Sequence, residues 1–109
     1  MKNALFVCGK ARMRSPTAAA LAEQMEGVAA DFAGLSFDAD ERISTEHIEW
    51  ADIIFVMERR QQKRLTVLFG AMLRDKKVRV LDVPDKFSYM DEALISLLRP
   101  KLEAALSLK

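Results

Sequence analysis

The sequence predicts an α/β domain in which helices cover both faces of a parallel sheet. The chain has 109 residues, half of them hydrophobic, which is the size of one domain with its own core. Short apolar runs alternate with amphipathic stretches in the order βαβαβαβα. Strands that alternate with helices are typical of a parallel sheet, because parallel neighbours need a crossover connection. We therefore expect a single domain over residues 1–109.

Composition narrows the classes of function. The chain has 17 basic and 16 acidic residues, so a strongly basic nucleic-acid binder and an acidic disordered tail are excluded. It has one cysteine, Cys8, and one histidine, His47. That set can form neither an internal disulfide nor a structural zinc site. The first apolar run is too short for a secretory signal or a membrane span. We expect a cytoplasmic protein that needs no metal or other cofactor and binds neither nucleic acid nor membranes.

The first strand and helix have clear signals. Residues 4–8 are continuously apolar, which suits a strand buried on both faces. Ser15 and Pro16 predict a helix start, with Ser15 as the N-cap and Pro16 in the first helical position. Gly27 is placed to end this helix in the left-handed region. One apolar stripe at helical spacing lies between them: Ala18, Leu21, Ala22 and Met25.

The middle of the chain predicts a second strand over residues 28–33 and a polar loop over residues 34–43. Ser44 or Thr45 then caps a short helix. Residues 52–57 are the clearest strand, because they are rich in β-branched and aromatic side chains.

The second half completes the alternation. A fourth strand is expected over residues 78–82, ended by Pro84. Asp91 caps the last helix, which Pro100 should kink or divide. Between the third and fourth strands a helical stripe is expected to lie in the core: Leu65, Leu68, Phe69 and Met72.

A site in such a sheet lies beyond the carboxyl ends of the strands. Residues expected there include Cys8, Gly34, Glu58 and Asp82. The loop after Cys8 is long enough to wrap its N–H groups around one anion, and the next helix adds its own unpaired N–H donors.

This loop carries the strongest functional signal. Arg14 would grip phosphate oxygens with its planar fork, while donors and positive charge would hold Cys8 as the nucleophilic thiolate. Ser15 could hydrogen-bond the sulfur. A lone buried cysteine is often only a small hydrophobe, but the arginine and the helix start favour a nucleophile. The expected phosphate-binding residues are Gly9, Lys10, Ala11, Arg12, Met13, Arg14 and Ser15.

Four stretches spread over almost the whole chain resemble the low-molecular-weight protein tyrosine phosphatases, especially their short bacterial relatives. They are the loop exit at residues 14–18, the Ala-Gly pair at 33–34, the third strand at 50–58, and the run Leu-Asp-Val-Pro-Asp at 81–85. The resemblance implies a three-layer domain with a four-stranded parallel sheet in the order 2-1-3-4.

The resemblance also implies a metal-independent, two-step hydrolysis of phosphotyrosine or another aryl phosphate, carried by a phosphorylated protein or a small molecule. Cys8 would form a cysteinyl-phosphate, Arg14 would stabilise the phosphoryl oxygens, and an aspartic acid would protonate the leaving group. We assign the acid to Asp82, at the expected end of the fourth strand, and keep Asp85 as the alternative.

The loop departs from that family at three positions. Ala11 stands where the family has an asparagine that tolerates left-handed backbone, so a strained or less active loop is left open. Lys10 replaces a glycine. Met13 replaces a second cysteine, so oxidised Cys8 would lack a nearby resolving thiol.

Other polar and aromatic residues have plainer interpretations. His47 is expected on the surface of a short helix, and residues 58–64 form either a solvated first turn or a region that steers anions. Trp50 is assigned to packing. Phe87 and Tyr89 could pack or could wall a cleft.

Three other functions compete with the hydrolase. One is a non-catalytic phosphate- or phosphopeptide-binding module on the same fold. Another is an arsenate reductase, which would need an external thiol because Cys8 is the only cysteine. The third is a sugar-phosphotransferase B component, against which Arg14 argues.

Overall fold

Four parallel strands form one sheet in the order β2-β1-β3-β4, as expected. The computed structural model describes residues 1–106. The strands are β1 (Lys2–Cys8), β2 (Val28–Gly34), β3 (Ile53–Val56) and β4 (Lys77–Val80). Cys8 is in register with Gly34, and Val56 is in register with both Val7 and Val80. The carboxyl ends of the strands therefore meet at one edge.

Helices cover both faces of the sheet, which confirms the three-layer architecture. They are α1 (Arg14–Glu23), α2 (Thr45–Trp50), α3 (Arg59–Phe69) and α4 (Glu92–Leu106), with a 3-10 turn at Gly70–Leu73. The helices α1 and α4 pack on one face, and α2 and α3 pack on the other. None of these helices is both long enough and apolar enough to span a membrane, within the described residues.

The continuous apolar run of β1 supplies both cores. Phe6 points to the face covered by α1 and α4, where its ring stacks on Phe55 with the ring centroids 4.9 Å apart. Leu5 points to the opposite face, where it packs with Ile54 and Leu65. Alternate residues of a strand point to opposite faces, so one apolar run serves two layers.

The start of α1 differs from the prediction. The helix begins at Arg14, its N-cap is Met13, and Ser15 lies fully buried in the first turn. Ser15 is therefore not the cap, because its hydroxyl is directed to the sulfur of Cys8. The helix ends at Glu23, and Gly27 adopts its left-handed conformation (φ 78°) directly before β2.

Three details of the second half are also revised. The strand β4 ends at Val80, because Asp82 has a left-handed backbone (φ 55°) that breaks the extended conformation. Pro100 does not divide α4, which is assigned as one helix. Leu68 is 45% exposed and does not belong to the core. The cap of α4 is confirmed, since Asp91 Oδ1 accepts a hydrogen bond from the N–H of Ala93 at 2.9 Å.

Candidate active site

Cys8 ends β1 beneath the loop that leads into α1. Its side chain is buried, with 3% of its surface exposed. The sulfur lies 3.0 Å from Ser15 Oγ and accepts a hydrogen bond from the N–H of Ala11 at 3.2 Å. The Ser15 hydroxyl and the N–H of Ala11 thus converge on the sulfur from the first turn of α1 and from the loop.

A cleft of about 340 Å³ lies above this sulfur. Ala11 and Ser15 are buried behind it. One lining residue, Ser36, was not expected from the sequence. Another, Arg60, belongs to residues 58–64, for which anion steering was one of two interpretations. The lining residues are Cys8, Gly9, Lys10, Arg12, Met13, Arg14, Ser36, Arg60 and Asp85.

Ala11 adopts a left-handed backbone conformation with φ 61°. For a residue with a Cβ atom this conformation costs about 1–2 kcal/mol. One of the three positions at which the loop departs from the resembled family is therefore strained. Ala11 is also 2% exposed, so the surrounding packing holds it in place.

Arg14 is the most constrained charged residue in the site, with 3% of its surface exposed. Its Nη1 donates to Glu58 Oε1 at 2.6 Å and to the carbonyl of Val83 at 2.8 Å. Its Nε lies 3.7 Å from Asp85 Oδ1. These two acceptors fix Nη1 and thereby orient the whole planar guanidinium group of Arg14.

Glu58 follows β3 and binds two arginines. Besides Arg14, it accepts hydrogen bonds from Arg60 Nη2 at 3.2 Å and Nε at 3.3 Å. Arg60, and to a lesser extent Arg14, lower the pKa of Glu58 below its ordinary value. The sequence placed Glu58 at this edge of the sheet but did not identify it as the partner of Arg14, since that contact spans 44 positions of the chain.

The two candidate acids lie in different surroundings. Asp85 lines the cleft, and its side chain is 66% exposed. Asp82 is exposed and does not line the cleft. Its two neighbours donate backbone hydrogen bonds to the end of β3 and the residue after it. The N–H of Leu81 donates to the carbonyl of Val56, and the N–H of Val83 donates to the carbonyl of Met57, both at 2.8 Å. Asp85 therefore lines the same cleft as Cys8, whereas Asp82 does not.

The polar loop after β2 supports the loop that follows Cys8 through backbone hydrogen bonds. The N–H of Leu35 donates to the carbonyl of Cys8 at 2.9 Å, and the N–H of Ser36 donates to the carbonyl of Gly9 at 2.8 Å. A Cβ atom at Gly34 would lie 2.7 Å from the Gly9 carbonyl oxygen, so only glycine fits where these segments cross.

Ion pairs join the same two loops. Lys10 Nζ lies 2.5 Å from Asp38 Oδ2, and Arg12 Nε lies 3.1 Å from Asp40 Oδ1. The hydrogen bonds that Lys10 and the Ser36 hydroxyl donate to Asp38 lower its pKa to about 2. These exposed pairs orient the rim of the cleft, although each contributes little to stability.

Comparison with known proteins identifies the fold. No protein-family model and no curated protein matches the sequence. Solved structures do match, among them SP-PTP, a low-molecular-weight protein tyrosine phosphatase from Streptococcus pyogenes. Its TM-score is 0.77 at 16% identity, over 99% of this chain and 95% of that one. The YwlE arginine phosphatase from Geobacillus stearothermophilus has a TM-score of 0.72 at 24% identity, over 96% and 95% of the two chains. A low-molecular-weight phosphotyrosine phosphatase from Vibrio cholerae gives 0.75 at 16% identity, over 98% of both chains.

The fold is that of the low-molecular-weight protein tyrosine phosphatases. Within this fold the residues expected to act together, Cys8 and Arg14, do line one cleft. No three His, Cys, Asp or Glu side chains of residues 1–106 are grouped so that they could hold a metal ion.

The remaining candidates lie outside the cleft of this phosphatase fold. His47 is half-buried, with its side chain 12% exposed. Its Nδ1 accepts a hydrogen bond from the N–H of Ser44 at 3.0 Å, and this contact caps α2. Trp50 packs against the core, as expected. Phe87 also packs against the core, Tyr89 is 54% exposed, and neither lines the cleft.

Proposed function

We propose that this chain is a metal-independent phosphomonoesterase that hydrolyses phosphotyrosine or another aryl phosphate through a cysteinyl-phosphate on Cys8. The observation that carries the proposal is the buried sulfur contacted by the Ala11 N–H and the Ser15 hydroxyl, at the floor of a cleft that Arg14 also lines. The fold supports it, because solved structures that share it are named as tyrosine and arginine phosphatases. A nucleophilic thiol stays active only while reduced, which supports a cytoplasmic location.

In the first step, a lone pair of the Cys8 thiolate attacks phosphorus as the bond to the leaving oxygen breaks. The cleft offers the equatorial oxygens the loop N–H groups and the remaining N–H groups of Arg14. Because Glu58 and the Val83 carbonyl already hold Nη1, the fork needs little reorganisation when the phosphoryl group binds.

In the second step, water attacks the phosphorus of the cysteinyl-phosphate. The S–P bond breaks, and its electron pair returns to the sulfur of Cys8. The hydroxyl of Ser15, 3.0 Å from that sulfur, stabilises the departing thiolate by a hydrogen bond. The products are inorganic phosphate and the regenerated enzyme.

We assign the general acid to Asp85 instead of Asp82. Asp85 lines the cleft, so its proton can reach the leaving oxygen in the first step, and its carboxylate can take a proton from water in the second. The proton lost in the first step is thus replaced in the second, which returns Asp85 to its protonated form at the end of the cycle.

The nucleophile is tested by Cys8→Ser. We expect hydrolysis of p-nitrophenyl phosphate to fall to background, because a serine hydroxyl is not ionised in this site. Circular dichroism and thermal unfolding of the variant control for the fold. Undiminished hydrolysis by a folded Cys8→Ser protein would contradict the proposal.

The acid is tested by Asp85→Asn, with Asp82→Asn as its matched control. Asp85→Asn should lower kcat about 100-fold or more, and the loss should be larger for phenyl phosphate, whose leaving group needs a proton more than p-nitrophenolate does. Asp82→Asn should keep kcat within about twofold, since surface substitutions have small effects. The opposite pattern would return the acid role to Asp82.

A phosphate-binding module without turnover is the second candidate, and the strained Ala11 favours it. Phosphate binding by titration calorimetry and hydrolysis, measured on one sample, separate the two functions. Binding without hydrolysis of aryl phosphate, phosphotyrosine or phosphoarginine would identify the module.

A further inference from the structure

A second groove adjoins the cleft on the side of α3. Its volume is about 460 Å³, and it shares Gly9, Ser36 and Arg60 with the cleft. A group bound there would therefore lie next to a phosphoryl group above Cys8. We call it the α3 groove and define it by Gly9, Ser36, Phe37, Arg60, Gln61 and Arg64.

Gln61 contributes an unpaired buried donor to the α3 groove. The residue is 5% exposed, and its Oε1 accepts hydrogen bonds from the N–H groups of Met57 and Glu58, both at 3.0 Å. Those bonds fix the amide, whereas Nε2 has no hydrogen-bond partner among the described residues. A buried donor without an acceptor is unfavourable, so an acceptor that reaches Nε2 from the α3 groove would be favoured.

The charged side chains of the α3 groove are both cationic. Arg60 forms an ion pair with Glu58. Arg64 is exposed and has no carboxylate within ion-pair distance in the described part of the chain. No carboxylate of residues 1–106 lines the groove. Donors and positive charge without a matching acid favour an anionic, hydrogen-bond-accepting ligand.

We propose that the α3 groove binds the carboxylate of an aspartate or glutamate close to the phosphorylated residue of a protein substrate. This rests on the proposed function, because the phosphoryl group anchors the peptide in the adjoining cleft. Phe37, which is 83% exposed, offers an apolar wall for the peptide chain. A small aryl phosphate has no group that reaches the groove, so the groove selects acidic phosphopeptides over it.

The experiment compares kcat/KM for pairs of phosphotyrosine peptides that differ by Glu against Gln, with the changed residue moved along both sides of the phosphotyrosine. At one position the wild-type enzyme should prefer Glu about fivefold. Arg64→Glu should remove that preference and leave the Gln peptide and p-nitrophenyl phosphate unchanged.

Lys63→Glu is the matched control, because it makes the same change of charge at the neighbouring exposed residue of α3, which does not line the groove. The proposal is overturned if the wild type shows no preference at any position, if Arg64→Glu lowers both peptides equally, or if Lys63→Glu has the same effect as Arg64→Glu.

The p-nitrophenyl phosphate arm reports on the proposed function alone. If the wild type hydrolyses none of the substrates, that function fails, and the groove is then decided by calorimetric titration of the same peptide pairs into Cys8→Ser and Cys8→Ser/Arg64→Glu proteins. Tighter binding of the Glu peptide that depends on Arg64 supports the groove. Equal binding of both peptides refutes it.

Discussion

Ala11 has a backbone conformation that alanine disfavours, with φ 61°. Its N–H also donates to the sulfur of Cys8, so one residue carries both backbone strain and a contact with the proposed nucleophile. The sequence identified the position through the absent asparagine. It could not show the backbone conformation of the alanine that stands there, which the structure shows to be left-handed.

Ala11→Gly should relieve the contact of Cβ with the backbone and raise the free energy of unfolding by up to about 1 kcal/mol, because the greater freedom of glycine in the unfolded chain offsets part of the gain. Ala19→Gly, in the middle of α1, is the control and should lower it by about 1 kcal/mol. Urea unfolding measures both. Equal losses in the two variants would show that Ala11 is unstrained.

Single residues were predictable where chemistry and chain position coincide. Cys8 and Arg14 follow from a buried strand, a short loop and a helix start. The sequence did not predict which of Asp82 and Asp85 lines the cleft. The left-handed turn at Asp82 redirects the chain, so these two nearby residues have different surroundings.

At the scale of elements, Arg14 joins three parts of the fold. It belongs to the first turn of α1, and it binds Glu58 after β3 and the carbonyl of Val83 after β4. Elements were predictable from apolar runs and periodicity, but the true start of α1 was not. It depends on these tertiary contacts and on the bond between Ser15 and Cys8, which leave no local pattern.

Glu58→Gln tests this junction through pH. Arg60 and Arg14 lower the pKa of Glu58 below its ordinary 4.5, so its ionised form stabilises the fold above that value, and the stabilisation is lost as pH falls through the lowered pKa. The variant should therefore be less stable at pH 7, by up to about 1 kcal/mol since the pair is partly exposed. The difference from wild type should shrink as the pH falls from 4.5 through the lowered pKa of Glu58.

Urea unfolding from pH 7 to pH 3 provides the measurement for Glu58→Gln. Subtracting the wild-type free energy of unfolding from that of the variant removes the contributions of carboxylates that the substitution does not affect. A stability difference that stays constant over this range would show that the Glu58 carboxylate does not contribute through its charge. The activity of the variant at pH 7 should also fall, because Arg14 loses a charged acceptor that orients it.

At the scale of the whole molecule, the alternation of strands and helices accounted for the parallel sheet, and the resemblance supplied its order. The position of the site followed from that topology, since the carboxyl ends of β1 and β3 meet at one edge. The support from residues 35–43 was missed because a polar loop has no periodic signal. Its pairs, such as Lys10 with Asp38, lie 28 positions apart.

The strand β2 lies at the border of the sheet and, among the described strands, pairs only with β1. The bonds from Leu35 and Ser36 to Cys8 and Gly9 come from the chain directly after it. Fraying of this border would release both carbonyls at once, while the central pairing of β1 with β3 persisted. Under the proposed function, a brief local opening would interrupt activity while most of the molecule stayed native.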